Sequence, residues 1–118
     1  MRIAVLHPHT WPEVRRGGER YAHDLAWWLA AQGHEVDQVA GATTPSLEVV
    51  DGVRIVRVKH RHPQRLANRG VTPLDSFGLA VLPWLARHRY DVVHAFVPTA
   101  AIVAALTRQR VVYTALGH

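Results

Sequence analysis

A chain of 118 residues has room for one domain with a real core but is short for a complete metabolic enzyme. Its apolar content of 48% fits a folded globular protein, and the lack of cysteine excludes disulfides and thiolate chemistry. The formal charge of +5 is carried almost wholly by arginine, Lys59 being the only lysine, which favours planar oxyanions such as phosphates and carboxylates as partners.

Arg2 to Leu6 (RIAVL) is a short apolar run with β-branched residues, the pattern of a buried parallel strand. His7, Pro8 and Glu13 follow it too soon for the core of a secretory signal, and a long polar loop runs on to Gly18. GERYAHDLAWWLAAQG then reads as a helix. Tyr21, Leu25, Trp28 and Leu29 share one apolar stripe, which places Trp28 in the core and leaves Trp27 off the stripe and exposed. Gly33 stands where a left-handed C-cap stops that helix.

Glu35 to Ala40 reads as a second strand, Gly41 to Gly52 as a turn-rich connection, and Val53 to Lys59 (VRIVRVK) as a third strand lying toward a sheet edge. His60 to Pro73 is basic and irregular. Leu74 to His88 is helical with a break expected near Pro83, because proline removes a helix hydrogen bond. Asp91 to Phe96 (DVVHAF) is the fourth strand, and Pro98 suits the first turn of a helix running to about Gln109. Val111 to Ala115 is the fifth strand. The longest apolar run, Ala95 to Leu106, contains Pro98 and Thr99 and falls short of the ~20 residues that span a bilayer. The expectation is a soluble, cytoplasmic protein, peripheral to a membrane at most.

Strands separated by helices imply an α/β fold: a Rossmann-like parallel sheet, order 3-2-1-4-5, with helices on both faces. The topological switch then lies between the first and fourth strands, and ligands bind above the carboxyl ends of the strands at such a switch. The loop from His7 to Gly18 and the segment Phe96 to Thr99 are the expected site.

Gly17-Gly18-Glu19 opens the first helix. Two glycines allow close approach of a ligand to the backbone, and the helix N-terminus offers unpaired N–H groups and a positive dipole end, which suits phosphate. The competing reading is that the glycines only make the turn into the helix. A dinucleotide fingerprint is not present, since G-x-G-x-x-G follows its strand directly. Arg15 and Arg16, just ahead, are placed to neutralise phosphate or simply to be solvated.

His7 and His9 flank Pro8 at the end of the first strand, where either could face the cleft and hydrogen-bond a ligand hydroxyl. No acidic or cysteine cluster accompanies them, so no metal is expected. Trp11 could stack on a sugar ring and Glu13 bind hydroxyls, against the plainer reading that Trp11 anchors the loop. His94 reads as a hydrogen-bonded core histidine, and His60 and His62 as part of a solvated basic face. From Gly52 to Leu74 there is no acid but there are Arg54, Arg57, Lys59, Arg61, Arg65 and Arg69, a patch suited to a phosphosugar or an anionic membrane surface. Nucleic acid is not expected, because the stretch lacks interleaved aromatics and any recognised binding motif.

MRIAVLHPH, then GGERYAHDLAWWLAAQGHEVD, YDVVHAF and VVYT, resemble the N-terminal domain of family-4 glycosyltransferases, which are retaining enzymes of GT-B fold. Gly33-His34-Glu35-Val36 fits the family's turn into its second strand. The resemblance covers almost the whole chain. It implies the acceptor-side half of an enzyme that transfers sugar from a nucleotide-diphosphate donor without a metal or other cofactor. Gly17, Gly18 and Arg16 would meet the donor diphosphate, and His7, His9, Trp11, Glu13 and Phe96 the acceptor. The family's catalytic histidine lies shortly after the threonine ending the fifth strand; counted from Thr114 that place is Leu116, and the histidine that arrives is His118. The same resemblance implies a truncated domain, inactive alone, whose partner is a C-terminal donor domain in cis or in trans. Its uncovered edge would favour self-association. The alternative is a non-catalytic ligand- or membrane-binding domain of the same fold.

Overall fold

Successive side chains of a strand face opposite sides of a sheet, and β1 (Arg2–Leu6) uses both. Ile3 and Val5 enter one core, Ala4 and Leu6 the other. A strand apolar on both faces belongs in the middle of a covered parallel sheet, and there it lies. The computed structural model describes residues 1–8, 17–60, 70 and 73–114, with 17–19 and 73–75 described by their backbone alone.

The other strands are β2 (Glu35–Ala42), β3 (Ser46–Val50), β4 (Val53–Lys59), β5 (Val92–Ala95) and β6 (Val111–Tyr113). The helices are α1 (Gly17–Ala31), α2 (Pro73–Ala80), α3 (Leu82–Arg87) and α4 (Pro98–Leu106). The sheet order is β3-β4-β2-β1-β5-β6. The five strands read from sequence are β1, β2, β4, β5 and β6, all parallel and in the expected sequence of neighbours.

The correction is at the edge. β3 lies inside the stretch expected to be a turn-rich connection and pairs antiparallel with β4, so the sheet is mixed and has one more strand. Asp51 and Gly52 join the two strands with φ of 50° and 83°, the left-handed pair that a two-residue hairpin turn needs. Asp51-Gly52 between two β-branched runs is the signal that identifies such a hairpin.

One face of the sheet carries α1 over Ile3, Val5, Val36, Val53 and Ile55. The buried contacts of α1 are Ala22 and Ala26, two small residues one turn apart that let the helix approach the sheet closely. Its larger side chains therefore flank the contact. Trp28, expected in the core, is 60% exposed, and Tyr21 and Trp27 are exposed as well. Gly33 ends the helix at φ 93°, its N–H bonded to the Ala30 carbonyl.

The opposite face carries α2, α3 and α4 around Phe77, Val81 and Leu85. Val81 separates α2 from α3, and Pro83 lies in the first turn of α3, where its missing N–H costs little. Pro98 opens α4 in the same way. No helix among the described residues is long and apolar enough to cross a membrane.

Candidate functional site

The chain leaves β1 at Leu6 and β5 at Ala95, and these two residues are register partners at the carboxyl edge of the sheet. The strands part there: β1 is followed by α1 on one face, β5 by α4 on the other. This is the switch expected from sequence, and the structure gathers an aromatic cluster at it.

His7 is 7% exposed and is tied to β2 by its backbone N–H, which donates to the Val39 carbonyl at 3.1 Å. The next residue, Pro8, accepts from the Gly41 N–H at 3.0 Å. Phe96 is 4% exposed, and its N–H donates to the Leu6 carbonyl at 3.2 Å, which extends the β1–β5 ladder past the last paired strand residue. The Phe96 ring stacks on His94 with centroids 4.7 Å apart, meets the edge of Tyr21 at 5.5 Å, and is tilted against His7 at 6.0 Å. Phe96 thus underlies the switch and holds three polar aromatics around it. An edge-to-face contact with Tyr21 fixes the first turns of α1 over the ends of β1 and β5.

His94 is hydrogen-bonded, as its place within a strand implied: Nε2 lies 2.8 Å from the Thr114 hydroxyl, just beyond β6. Burial lowers its pKa, because the charged imidazolium loses water at a half-buried position. His94 is accordingly neutral at pH 7, with one ring nitrogen able to donate and the other to accept.

Gly17 and Gly18 form the first two positions of α1, whose N-terminus points at the same edge. A helix N-terminus without side chains on its first two residues leaves its N–H groups open to an anion. Tyr21, one turn beyond Gly17, is in ring contact with Phe96, which ties the start of α1 to this edge of the sheet. Arg16, His9, Trp11, Glu13 and His118 lie outside the described residues. The basic segment expected after the third strand lies mostly outside them too. One of its histidines is described and differs from the solvated reading: His60 is half-buried, with Nε2 2.7 Å from the Ser76 hydroxyl and its ring edge-on to Phe77. Gly41 makes room for it, since a Cβ there would meet His60 Nδ1 at 2.8 Å.

Tyr21 was missed by sequence reasoning as a site residue. Its position one turn beyond Gly17 was the available signal, because residues four apart on a helix share a face.

A profile described as glycosyl transferase 4-like domain matches residues 16–118, a span that begins just before the glycine pair and includes β5 of the switch, β6 and Thr114, with β1 lying ahead of it. The chain belongs to the glycosyl transferase 4-like family. No curated protein matches it significantly. Among solved structures it is similar to sucrose-phosphate synthase from Thermosynechococcus elongatus, with a TM-score of 0.66 and 21% identity over 95% of this chain. At that identity the likeness establishes the Rossmann-like fold alone. The chain spans about a third of that protein, 32% of its length.

Proposed function

We propose that this domain is the acceptor-side, N-terminal half of a GT-B glycosyltransferase that moves a hexosyl group from a nucleotide-diphosphate sugar with retention of configuration. The observation that carries the proposal is the Gly17-Gly18 start of α1, inside the family-matched span, at the edge of the sheet where β1 and β5 part.

The division of labour follows from chemistry. The open N–H groups at Gly17 and Gly18 suit a diphosphate, and Arg16 immediately before them adds a bidentate cation. His7, together with His9, Trp11 and Glu13 of the same loop, supplies the polar and aromatic groups an acceptor sugar or alcohol needs. Phe96, being buried, contributes by holding His7, Tyr21 and His94 in place. His118 comes shortly after Thr114 in the sequence, the residue that hydrogen-bonds His94, and is the candidate for a group that touches the reacting centre.

The donor's nucleotide would be held by a second domain, in cis or in trans. The outer edge strand β6 and the exposed Ile102 and Leu106 of α4 offer apolar surface for further chain, or for self-association of this domain when it is alone. No metal or cofactor enters the proposed reaction. The site of action is the cytoplasm or the cytoplasmic face of a membrane.

The test is a calorimetric or NMR titration with UDP-, GDP- and ADP-sugars, on this chain and on a longer chain that includes the partner domain. Expected is weak, diphosphate-dependent binding by this chain, lost on Gly18→Val, and tight binding with sugar transfer by the longer one. Failure of both to recognise any nucleotide sugar would overturn the transferase reading in favour of a non-catalytic ligand- or membrane-binding domain.

A further inference from the structure

β3 is the outer strand of the sheet on one side, and all five of its residues are exposed. The turn at Asp51-Gly52 fixes which of its backbone groups are used. Val50 and Val53 flank that turn as register partners and exchange both of their hydrogen bonds. Alternation along an antiparallel pair gives the same role to Glu48 with Ile55 and to Ser46 with Arg57. The other side of β4 agrees. His60, just past its end, donates its N–H to the Ala42 carbonyl of β2 at 2.8 Å, so Arg54, Val56 and Val58, in phase with it, face β2 and leave Val53, Ile55 and Arg57 for β3. The N–H and C=O of Leu47 and Val49 therefore point away from the sheet.

An edge strand is ordinarily blunted by a lysine, a proline or a bulge. Ser46–Val50 contains neither lysine nor proline and pairs with β4 residue for residue. Leu47 and Val49 are 55% and 66% exposed. Their register partners are Val56, in the cluster under α2 to α4, and Arg54, which lies over the Trp84 ring, so both side chains stand on the α3 side of the hairpin. Glu48, on the opposite side with Ile55, is the charge of the strand, and Arg57 neutralises it at 2.7 Å.

The strand is its own complement. Leu47 and Val49 stand symmetrically about Glu48, so an antiparallel second copy centred there sets Leu47 against Val49 and Val49 against Leu47, and satisfies every outward group of both residues. Pro45, which has no N–H, falls outside the paired residues. We infer that the chain forms a two-fold dimer through β3, its sheet continuous from one copy into the other. The axis of such a pair is perpendicular to the sheet, so each face continues into the same face of the second copy. Leu47 and Val49 of both copies then make one apolar cluster on the α3 side. On the other side the two Glu48 carboxylates meet, a repulsive pair that the two Arg57 guanidiniums make neutral. The switch cluster lies at β1 and β5, away from β3, so the inference stands apart from the transferase reading.

The experiment is sedimentation equilibrium with amide hydrogen exchange, both over a range of protein concentration. Expected is a monomer–dimer equilibrium in which the Leu47 and Val49 amides exchange freely in dilute solution and slow as concentration rises. Leu47→Lys and Val49→Pro should each weaken the dimer at least about tenfold. The proline removes an outward N–H and no bond to β4. Leu47→Lys changes only an exposed side chain, which keeps the test available if Val49→Pro does not fold. Arg57→Gln should weaken the dimer too, and Glu48→Gln added to it should restore association, because the opposed charges are then gone. A monodisperse monomer at every concentration overturns the inference, as does a folded Leu47→Lys or Val49→Pro chain that dimerises like the parent. A dimer whose concentration-dependent amides are Val112 and Tyr113 places the pairing at β6 and overturns it as well. If Glu48→Gln fails to rescue Arg57→Gln, the register centred on Glu48 is overturned.

Discussion

Asp37 of β2 and Arg54 of β4 are register partners, and the guanidinium grips both carboxylate oxygens, Nε to Oδ1 at 2.8 Å and Nη2 to Oδ2 at 2.5 Å. Asp37 is buried and accepts a third hydrogen bond from the Tyr90 hydroxyl. Tyr90 in turn accepts from the Trp84 indole, and its backbone N–H donates to Gln109, whose amide reaches the Leu85 carbonyl. One acidic side chain thus links β2, β4, α3 and the segment entering β5. A network of this kind fixes strand register as well as contributing stability, because a slip of one residue would bury the carboxylate unpaired.

Asp37→Asn keeps the shape and removes the charge, so the amide nitrogen would face the guanidinium and the phenol, which are both donors. The expected loss is about 2 kcal/mol, less than for a fully buried pair because Arg54 is a third exposed. Urea denaturation of variant and parent measures it, and an unchanged midpoint would show that the pair contributes register alone.

Tyr90 gives the fold a sensitivity to alkali. Desolvation, reinforced by the hydrogen bond to Asp37, raises its pKa well above the ordinary value near 10. A raised folded pKa means that the folded state keeps a proton the unfolded chain gives up. Stability is therefore intact below about pH 10 and declines as pH rises from there toward the folded pKa. Tyr90→Phe should cost about 1–2 kcal/mol at pH 7 through the lost hydroxyl. It should also flatten the decline between roughly pH 9 and 11, where the unfolded phenol begins to ionise. Denaturation midpoints across that range check it; parallel curves for the two proteins would refute the assignment.

Most of this architecture could be read before any coordinates, and the misreadings share a cause. β1, β2, β4, β5 and β6 announce themselves as β-branched runs, and their parallel order follows from the helices between them. β3 does not, because Ser46–Val50 is exposed along its whole length and carries no buried alternation. Its evidence is the Asp51-Gly52 turn alone. Trp28 was misplaced for a related reason: hydrophobic phase weights large residues, whereas α1 docks through Ala22 and Ala26. At the site, His7 and the glycine pair were legible from their position after a strand and before a helix. Packing contacts were not. The stacking of Phe96 on His94 joins residues two apart in the sequence and was within reach, but the approach of Tyr21 depends on how closely α1 sits on the sheet.

His94 makes the opposite pH prediction to Tyr90. Its folded pKa is lowered by burial, so the unfolded chain binds the proton more readily than the folded one. The stabilisation is fully present above the unfolded value of about 6.5 and is lost as pH falls through the folded value. His94→Gln, which retains a group able to bond Thr114, should lose less stability than the parent between about pH 7 and 5. With nine histidines in the chain, the informative quantity is the difference between parent and variant midpoints at each pH. A difference that stays constant with pH would mean that His94 titrates normally.

Gly78 of α2 packs directly against Thr99 of α4. A Cβ at this position would lie 2.6 Å from Thr99 Cβ, 2.6 Å from its Cγ2 and 2.7 Å from its carbonyl carbon. Two of those atoms belong to the β-branched side chain and one to the backbone of the first turn of α4, so rotamer change cannot relieve the clash. Gly78→Ala must push α2 and α4 apart, at a cost of about 1–3 kcal/mol, seen as a fall in melting temperature of roughly 5 °C or more. Thr99→Ser in the same chain removes Cγ2 but leaves Cβ and the carbonyl carbon, so it should restore only part of the loss. Because α4 begins at the switch, the displaced first turn should also move the Phe96 and Val97 amide resonances while leaving those of the β3–β4 hairpin in place. An alanine variant that melts with the parent would show that the two helices have slack the packing does not reveal.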